Sequence, residues 1–378
     1  SPYYEKSTAE ATEATRAAYA KVIWYETAMG APSINGQGTA ATITGNSFTV
    51  TLADATKYGN ALIGVYASQA SDTPLWSYHI WHPDVANMEA ALLTYDNTYS
   101  GTYKVMPLAL GANKIPVLGE TGTNGEYTSL FYMWGRKDPL GRTATVGGTA
   151  FVPVNGESSP TYFRTGAQVR NLKDCLLDPI AESKEPYWNE AESKFVLEVN
   201  GISIDRYMIE YTIAHPTQMF NPQTLSTTSW TIAANYYLWG NPQGYNYPKM
   251  GATYKSVFDP CPTGYRVAPA DLWSNFGKMN PDNPSSMIAN SNGTFNRGYA
   301  YYYDSGNTKT DVYPTQGYRS AAGNSIVSTS IAYYMSSAPT GAGATSFYRL
   351  RFDSSSVNIF HAFSDTVNGF HVRCVKEQ

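Results

Sequence analysis

The spacing of apolar residues over the first 85 positions is that of β-strands. Two segments alternate apolar and polar residues with a period of two, and two others are short, continuous apolar runs. The four segments are Val22–Tyr25, Ser47–Leu52, Ala61–Tyr66 and Leu75–Trp81. Alternation is typical of a half-buried strand, and a short apolar run of a fully buried one. They predict a small β-sandwich or meander over residues 21–85, after a lead segment at residues 1–20.

Beyond residue 85 the pattern is less regular, and two stretches have helical spacing. One is Ile204–Ile213, which ends before Pro216. The other opens near Pro269, and its apolar side chains are Ala270, Leu272, Trp273 and Phe276. Strand patterns return at Phe347–Phe352, Val357–Phe360 and Phe370–Val375. The sequence therefore predicts a β-rich α+β protein with long loops.

The composition is typical of a surface protein built from strands and loops. Among 378 residues, 31 are Tyr, 31 are Gly and 22 are Pro, while only 15% are charged, well below the usual quarter. The length leaves room for two or three domains. A net charge of −4 without a basic run argues against a nucleic-acid partner. No apolar stretch approaches the roughly 18 residues of a membrane span, so no direct span is expected.

No sequence motif indicates catalysis or metal binding. The motifs Gly-x-Ser-x-Gly, His-Glu-x-x-His and the phosphate-binding Walker loop do not occur, so we expect no enzyme and no catalytic residue. The histidines and cysteines form no zinc-binding spacing, and no cofactor is expected. The three cysteines, Cys175, Cys261 and Cys374, allow at most one internal disulfide and leave one thiol.

Six motifs in order carry a family resemblance. They are Tyr132–Pro139, Leu238–Asn241, Asp259–Val267, Gly317–Arg319, Tyr333–Ser337 and Gly369–Val375. As an ordered set they resemble the major paralogous domain found in surface proteins of gut Bacteroidota, which is similar to the C-type lectin-like fold. Trp76–Trp81, preceded by Gly59-Asn60-Ala61, resembles the lead-in of fimbrillin-like proteins that end in this domain. The resemblance covers residues 20–378 and implies a C-type lectin-like domain at residues 86–378, with an insert at about 140–238.

The same resemblance implies a disulfide. Cys261 and Cys374 each lie in one of the motifs and would form the disulfide of the family, whereas the alternative is two buried free thiols. Cys175 lies in the insert and is expected to be a buried thiol without a catalytic partner. One position departs from the family, because Met335 stands where the family has Trp, and this implies a different pocket wall near Ser336.

Aromatic loops supply the candidate ligand-binding residues. These are Trp239, Tyr245, Tyr247, Tyr301, Tyr302, Tyr303, Asp304 and Asn307. Three consecutive tyrosines in a strand cannot all face one core, so at least one points outward. Tyr beside Asn, Ser and Gly is typical of recognition surfaces, and the alternative is that the tyrosines pack across strands. The triplets Asn280-Pro281-Asp282 and Trp273-Ser274-Asn275 do not match the calcium motifs of C-type lectins, so no metal is expected.

These features favour an extracellular adhesin. The resemblance implies a subunit at the tip of a fimbria, with other fimbrial subunits as partners and a host or bacterial glycan or protein bound through loops of the lectin-like domain. Two alternatives stay open. One is a receptor-binding protein whose residues 315–375 are diversified by a retroelement. The other is a structural pilus or cell-surface subunit without a ligand.

Overall fold

The structure is a computed structural model that describes most of the chain in segments. Described in full are residues 17–45, 47–99, 101–117, 126–141, 209, 212–219, 238–240, 255–276, 298–320, 326–328, 330–340 and 346–377, and the backbone is also described at 151–153, 169–171, 187–189, 194–196, 220–221 and 288–290. Most of the predicted lead segment and insert, with Cys175, Tyr245 and Tyr247, lies outside the described residues. Antiparallel sheets dominate and helices are short, which confirms the predicted β-rich α+β class.

The strands are numbered in chain order. Their bounds are β1 (Tyr19–Glu26), β2 (Ser33–Ile34), β3 (Ala40–Thr42), β4 (Val50–Thr51), β5 (Gly59–Tyr66), β6 (Trp76–His82), β7 (Leu93–Asn97), β8 (Gly101–Val105), β9 (Tyr132–Met133), β10 (Phe151–Pro153), β11 (Val169–Asn171), β12 (Tyr187–Asn189), β13 (Lys194–Val196), β14 (Met219–Asn221), β15 (Tyr265–Val267), β16 (Ile288–Asn290), β17 (Gly298–Tyr302), β18 (Thr310–Pro314), β19 (Tyr318–Arg319), β20 (Ile326–Val327), β21 (Ala332–Pro339), β22 (Phe347–Phe352), β23 (Val357–Phe363), β24 (Gly369–Val372) and β25 (Cys374–Lys376). A short helix, α1, spans Met88–Ala91, and a 3-10 helix spans Ala270–Trp273.

The chain divides into two compact units. The first contains residues 1–82, 150–233 and 321–324, and the second contains residues 83–149, 234–320 and 325–378. The predicted domain limits at residues 20 and 85, and the assignment of residues 140–238 as an insert in the second domain, stay predictions.

The first unit is organised by a sheet with the order β10-β1-β5-β6, in which β3 also pairs with β1. Strand β5 lies between β1 and β6 and is buried along its whole length, as its apolar run predicts. The buried amide of Asn60 in β5 is satisfied by donation to Glu26 Oε2 at 3.2 Å and by a 2.9 Å hydrogen bond with His79 Nε2. Neighbouring strands therefore supply the partners of this buried polar side chain.

The strand predicted at Ser47–Leu52 is shorter than expected. Only Val50–Thr51 pairs in a ladder, with β2. Asn35, which has a positive φ of 50°, ends β2, and its side-chain Oδ1 accepts a hydrogen bond from Thr49 N at 2.8 Å. Asn35 N still donates to Thr49 O at 2.8 Å, so the side chain replaces one of the two backbone hydrogen bonds of the next residue pair, which period-two patterning does not reveal.

The second unit contains three sheets within its described residues. Their strand orders are β20-β19-β24-β21-β22-β23 with β9 also on β24, then β15-β25-β8-β7, and β16-β17-β18. Strand β21 is buried throughout and lies between antiparallel β22 and parallel β24. The predicted helix after Pro269 is the single 3-10 turn at Ala270–Trp273, whose four side chains are all buried.

A disulfide joins Cys261 to Cys374, as predicted. The two Cα atoms lie 5.9 Å apart across a sequence separation of 113 residues. Cys374 begins β25 and pairs in register with Val267 of β15. Asp259 organises the turn that carries Cys261, because its carboxylate accepts hydrogen bonds from Cys261 N at 2.9 Å and from Val267 N at 2.8 Å. The disulfide and the buried carboxylate of Asp259 therefore both hold the turn of Cys261 next to the ladder between β15 and β25.

Candidate functional site

Three loops of the second unit are held together by hydrogen bonds. They are the β7–β8 turn, the segment that follows the 3-10 helix, and the loop between β17 and β18 at residues 303–309. Asp96 joins all three. Its N–H donates to Tyr303 O at 2.9 Å, its Oδ2 accepts from Ser305 N at 2.7 Å, and its carbonyl accepts from Asn275 Nδ2 at 2.6 Å. We call this set of segments the loop cluster.

A second set of contacts holds the β7–β8 turn against the end of the 3-10 helix. Thr98 N donates to Ser274 Oγ at 3.0 Å, and Thr98 Oγ1 donates to Asn275 Oδ1 at 3.1 Å. Asn97 Nδ2 donates to the carbonyl of Asp271. Because side chains tie the turns to one another, the loop cluster is preorganised in the way that recognition loops require.

The loop at residues 303–309 is built around the carboxylate of Asp304. Asp304 Oδ1 accepts from Thr308 N at 2.9 Å and from Lys309 N at 2.8 Å, and Oδ2 accepts from Thr308 Oγ1 at 2.6 Å. Slight burial acts to raise the pKa of Asp304, but these hydrogen bonds outweigh it and hold the pKa below its ordinary value. A backbone hydrogen bond from Ser305 likewise lowers the pKa of Asp96. Both carboxylates are therefore charged loop organisers, not free acceptors.

The loop displays exposed polar groups. Residues 305–310 are exposed, and Asn307 adopts a left-handed φ of 55°, a conformation that Asn tolerates better than most residues. The side-chain amide of Asn307 and the hydroxyl of half-buried Tyr302 form no hydrogen bond with the described part of the chain. These two side chains can therefore meet an external ligand.

Buried aromatic rings support the loops from below. Tyr95 stacks on Tyr303 at a centroid distance of 4.8 Å, and Phe276 stacks on Tyr301 at 4.7 Å. Tyr301 and Tyr303 are buried, while Tyr302 between them is the partly exposed member of the trio. Burial, together with nearby acidic groups, raises the pKa of Tyr303, so its phenol stays neutral at physiological pH.

A buried polar network anchors this aromatic layer. Tyr95 Oη donates to Asp311, whose carboxylate is ion-paired with Arg373 next to the disulfide. Tyr313 Oη lies 3.0 Å from Tyr95 Oη and accepts from Trp273 Nε1 at 3.1 Å. Burial, and secondly the charge of Asp311, raises the pKa of Tyr95 well above its ordinary value. These hydrogen bonds connect the loop cluster to Arg373, between β24 and β25.

Of the predicted site residues outside the loop cluster, the structure describes Trp239. Trp239 is fully buried, and its Nε1 donates to Arg136 O at 3.1 Å while its ring packs on Trp134 at 5.5 Å. It is a packing residue without access to a ligand, and so are Tyr301 and Tyr303. Met335 and Ser336 are fully buried as well, so the departure at Met335 changes the core and not a pocket wall. Among the described candidates, Tyr302 and Asn307 stay available to a ligand, with Asp304 as their support, while Tyr245 and Tyr247 stay predictions.

Sequence patterns do not point to Asp96, and they include Ser274 and Asn275 only in a triplet that does not match a calcium motif. Their hydrogen bonds join residues 176–209 positions apart, and local pattern carries no signal for such pairs. Within the described ranges, no group of three or more His, Cys, Asp or Glu is placed to hold a metal ion. Along the same ranges, no helix has the length and apolar character needed to cross a bilayer.

Comparison with known proteins identifies no relative. No family model matches the chain, no curated protein matches it, and no solved structure matches it. The assignment to a family therefore stays at the level of the motif resemblance.

Proposed function

We propose that the protein is an extracellular adhesin that binds a glycan or protein through the loop cluster. The observation that carries the proposal is the rigid loop at residues 303–309, where Asp304 and Asp96 use their carboxylates on the loop backbone and leave Tyr302 and Asn307 for a ligand. An aromatic face beside amide donors and acceptors suits the apolar faces and hydroxyl groups of sugars.

The disulfide supports an extracellular site of action. Structural disulfides form and persist in oxidising compartments and are rare where cytosolic thiols stay reduced. Both cysteines of the Cys261–Cys374 disulfide are buried, as is usual for a structural disulfide. A position at the tip of a fimbria, with other fimbrial subunits as partners, is the finer proposal and follows from the motif resemblance.

We further propose that the protein is not an enzyme. A serine–histidine pair is present in the second unit, with Ser129 Oγ at 2.5 Å from His371 Nδ1. Both residues are completely buried, so a substrate cannot reach the hydroxyl. Burial lowers the pKa of His371 to about 3, which suits a neutral packing histidine and is far from the pKa near 7 that favours a general base.

Burial also argues against free variation of residues 315–375, which the alternative of retroelement diversification requires. Residues 315–375 include β21 and β24, which are buried along their whole length. Varying such positions would create cavities or overpacking that destabilise the unit. Diversification would have to spare them, and exposed positions among the described residues include Asn358 and Ala362 of β23.

The test is a binding screen of the full chain on a glycan array and a panel of host matrix proteins. For each ligand found, Tyr302→Ala and Asn307→Gly are compared with the wild type, because Gly keeps the left-handed backbone while removing the amide. Tyr78→Ala is the matched control, since Tyr78 is 47% exposed and belongs to the first unit. We expect each loop variant to weaken binding at least about tenfold, and the control to bind like the wild type.

Two results would contradict the proposal. If neither panel contains a ligand, the structural-subunit alternative is favoured. If a ligand is found but binds both loop variants as tightly as the wild type, the adhesin function stands and the loop cluster is the wrong site.

A further inference from the structure

One guanidinium group in the second unit is enclosed by aromatic rings. The Cζ atom of Arg349 in β22 lies 4.4 Å from the ring centroid of Tyr333, 4.6 Å from that of Phe363 and 4.6 Å from that of Phe370. Only 9% of Arg349 is exposed. The three rings belong to β21, β23 and β24, so neighbouring strands of one sheet build the enclosure.

The enclosure lies on the sheet face that points away from the main core. Leu350 and Phe352 of β22 belong to the core cluster around Tyr334. Arg349 precedes Leu350, and successive side chains of a strand point to opposite faces. The cation is therefore not part of the buried polar network around Asp311, and its surroundings are apolar rings instead of carboxylates.

Arg349 has no acidic partner in the described part of the chain. Two other arginines of the unit do, since Arg373 pairs with Asp311, and Arg351 pairs with Asp353 at 3.0 Å. Nε of Arg349 donates to His361 Nδ1 at 3.3 Å, and its two terminal nitrogens form no hydrogen bond with described residues. Burial, above all, lowers the pKa of Arg349 to about 10, so the group is still charged at pH 7. A charge held this way is normally paired.

The groups around the guanidinium are suited to an anion. His361 accepts at Nδ1, so the proton of its neutral ring is on Nε2, which can donate to a ligand. Arg351 is ion-paired with Asp353 and is not part of the site, and Asp365 is the acidic side chain whose charge reaches the site. Tyr318 is half-buried and packs edge-on against Tyr333 and at a tilt against Phe370, both at 5.5 Å. It extends the aromatic wall towards the surface.

We propose that Arg349 is the anchor of a second ligand site that binds the carboxylate of an acidic sugar. The planar guanidinium can take a carboxylate through two parallel hydrogen bonds, with His361 Nε2 as a further donor. The sugar ring then lies against Tyr318. The choice of a sugar over another carboxylate rests on the proposed adhesin function, whereas the anion site does not.

The test measures binding of glucuronate to the full chain by isothermal titration and ligand-observed NMR. Glucose, which has the same ring without the carboxylate, is the neutral probe, and acetate is the carboxylate without the ring. Inorganic phosphate separates a carboxylate site from a general anion site. We expect saturable binding of glucuronate, with glucose and acetate each at least about tenfold weaker.

Variants then assign the site. Arg349→Gln is expected to weaken glucuronate binding at least about tenfold, because a charge-assisted bidentate contact is lost. Arg349→Lys keeps a cation over the rings without the planar fork, and should fall between Gln and wild type. Arg351→Gln is the matched control, with the same charge change two residues away, and should bind within about twofold of wild type. Thermal unfolding of each variant confirms that it is folded.

Several outcomes overturn the proposal. These are no saturable binding of glucuronate, tighter binding of phosphate than of glucuronate, equal binding of acetate, or equal losses in Arg349→Gln and Arg351→Gln. The Tyr302→Ala variant separates this site from the loop cluster, because it should leave glucuronate binding unchanged. A negative result for the acidic-sugar site therefore leaves the proposed binding through the loop cluster intact, and a negative result for the loop cluster leaves the anion site at Arg349 intact.

Discussion

Removing the disulfide should destabilise the second unit by a calculable amount. The perturbation is the double substitution of Cys261 and Cys374 by Ala. The bond closes a loop with a sequence separation of 113 residues. In the chain-entropy treatment, such a loop restricts the unfolded chain by about 5 kcal/mol at 25 °C. The folded partners of both cysteines, including the ladder between β15 and β25, remain available without the bond.

The assay is urea unfolding followed by tryptophan fluorescence. With a slope of about 2 kcal/mol/M, a loss of about 5 kcal/mol lowers the midpoint by roughly 2.5 M. Trp134, Trp239 and Trp273 are buried in the second unit and report its transition. Reduced wild type is measured in parallel, because it loses the cross-link without the small cavities that Ala leaves.

The control is Cys175→Ala, which removes the third thiol and should leave the midpoint unchanged. The entropy argument fails if reduced wild type and the double variant both unfold within about 1 kcal/mol of the oxidised protein. The pairing itself is checked by a non-reducing peptide map. Free alkylation of Cys261 and Cys374 in oxidised, unfolded protein would refute it.

Three further predictions concern buried positions of the second unit. Burial holds the pKa of His371 at about 3, so below pH 6.5 the unfolded chain takes up a proton that the folded chain does not. The free energy of unfolding should therefore fall by about 1.4 kcal/mol for each unit by which the pH is lowered from 6.5 towards 3. Calorimetry of His371→Gln should show a shallower dependence of stability on pH. Asp311→Asn leaves Arg373 buried without its partner and should lower the free energy of unfolding by about 3–5 kcal/mol, while the double variant with Arg373→Met should lose less in the same denaturation assay. Gly317→Ala places a Cβ 2.1 Å from the carbonyl oxygen of Val327 in β20, at a φ of +68°. Gly264→Ala is the control, because Gly264 has a φ of +80° with open space around it, so that variant carries only the conformational strain. Gly317→Ala should lower the free energy of unfolding by at least about 1–3 kcal/mol more than Gly264→Ala.

Local patterns predicted those parts of the fold that depend on neighbours in sequence. The apolar run Ala61–Tyr66 became a fully buried central strand, and alternation required that one of three consecutive tyrosines turn outward. Pattern could not say which one, because this depends on the side of the sheet that Phe276 covers. The run Ser47–Leu52 was predicted too long for a related reason, since Asn35 ends its ladder from another segment.

The candidate site was less predictable than the fold. The position of Asp304 after an aromatic run predicts a ligand residue, yet its carboxylate oxygens accept hydrogen bonds from Thr308 and Lys309. The place of Trp239 next to the aromatic loop of Tyr245 and Tyr247 predicts a ligand residue, yet Trp239 packs on Trp134. In both cases the deciding contacts form only after folding brings segments together, and composition cannot distinguish a displayed aromatic ring from a buried one.

The residues from Gly369 to Lys376 complete two sheets at once, and this sets the order of events during synthesis. Strand β24 pairs with β9, β19 and β21, and β25 pairs with β8 and β15. At ~5–20 residues per second, roughly 15–55 s separate the emergence of β8 from that of β25. Cys175 precedes Cys261, so a non-native bridge between them is available before Cys374 exists. Correct oxidation must therefore follow completion of these strands, or be repaired afterwards by thiol–disulfide exchange.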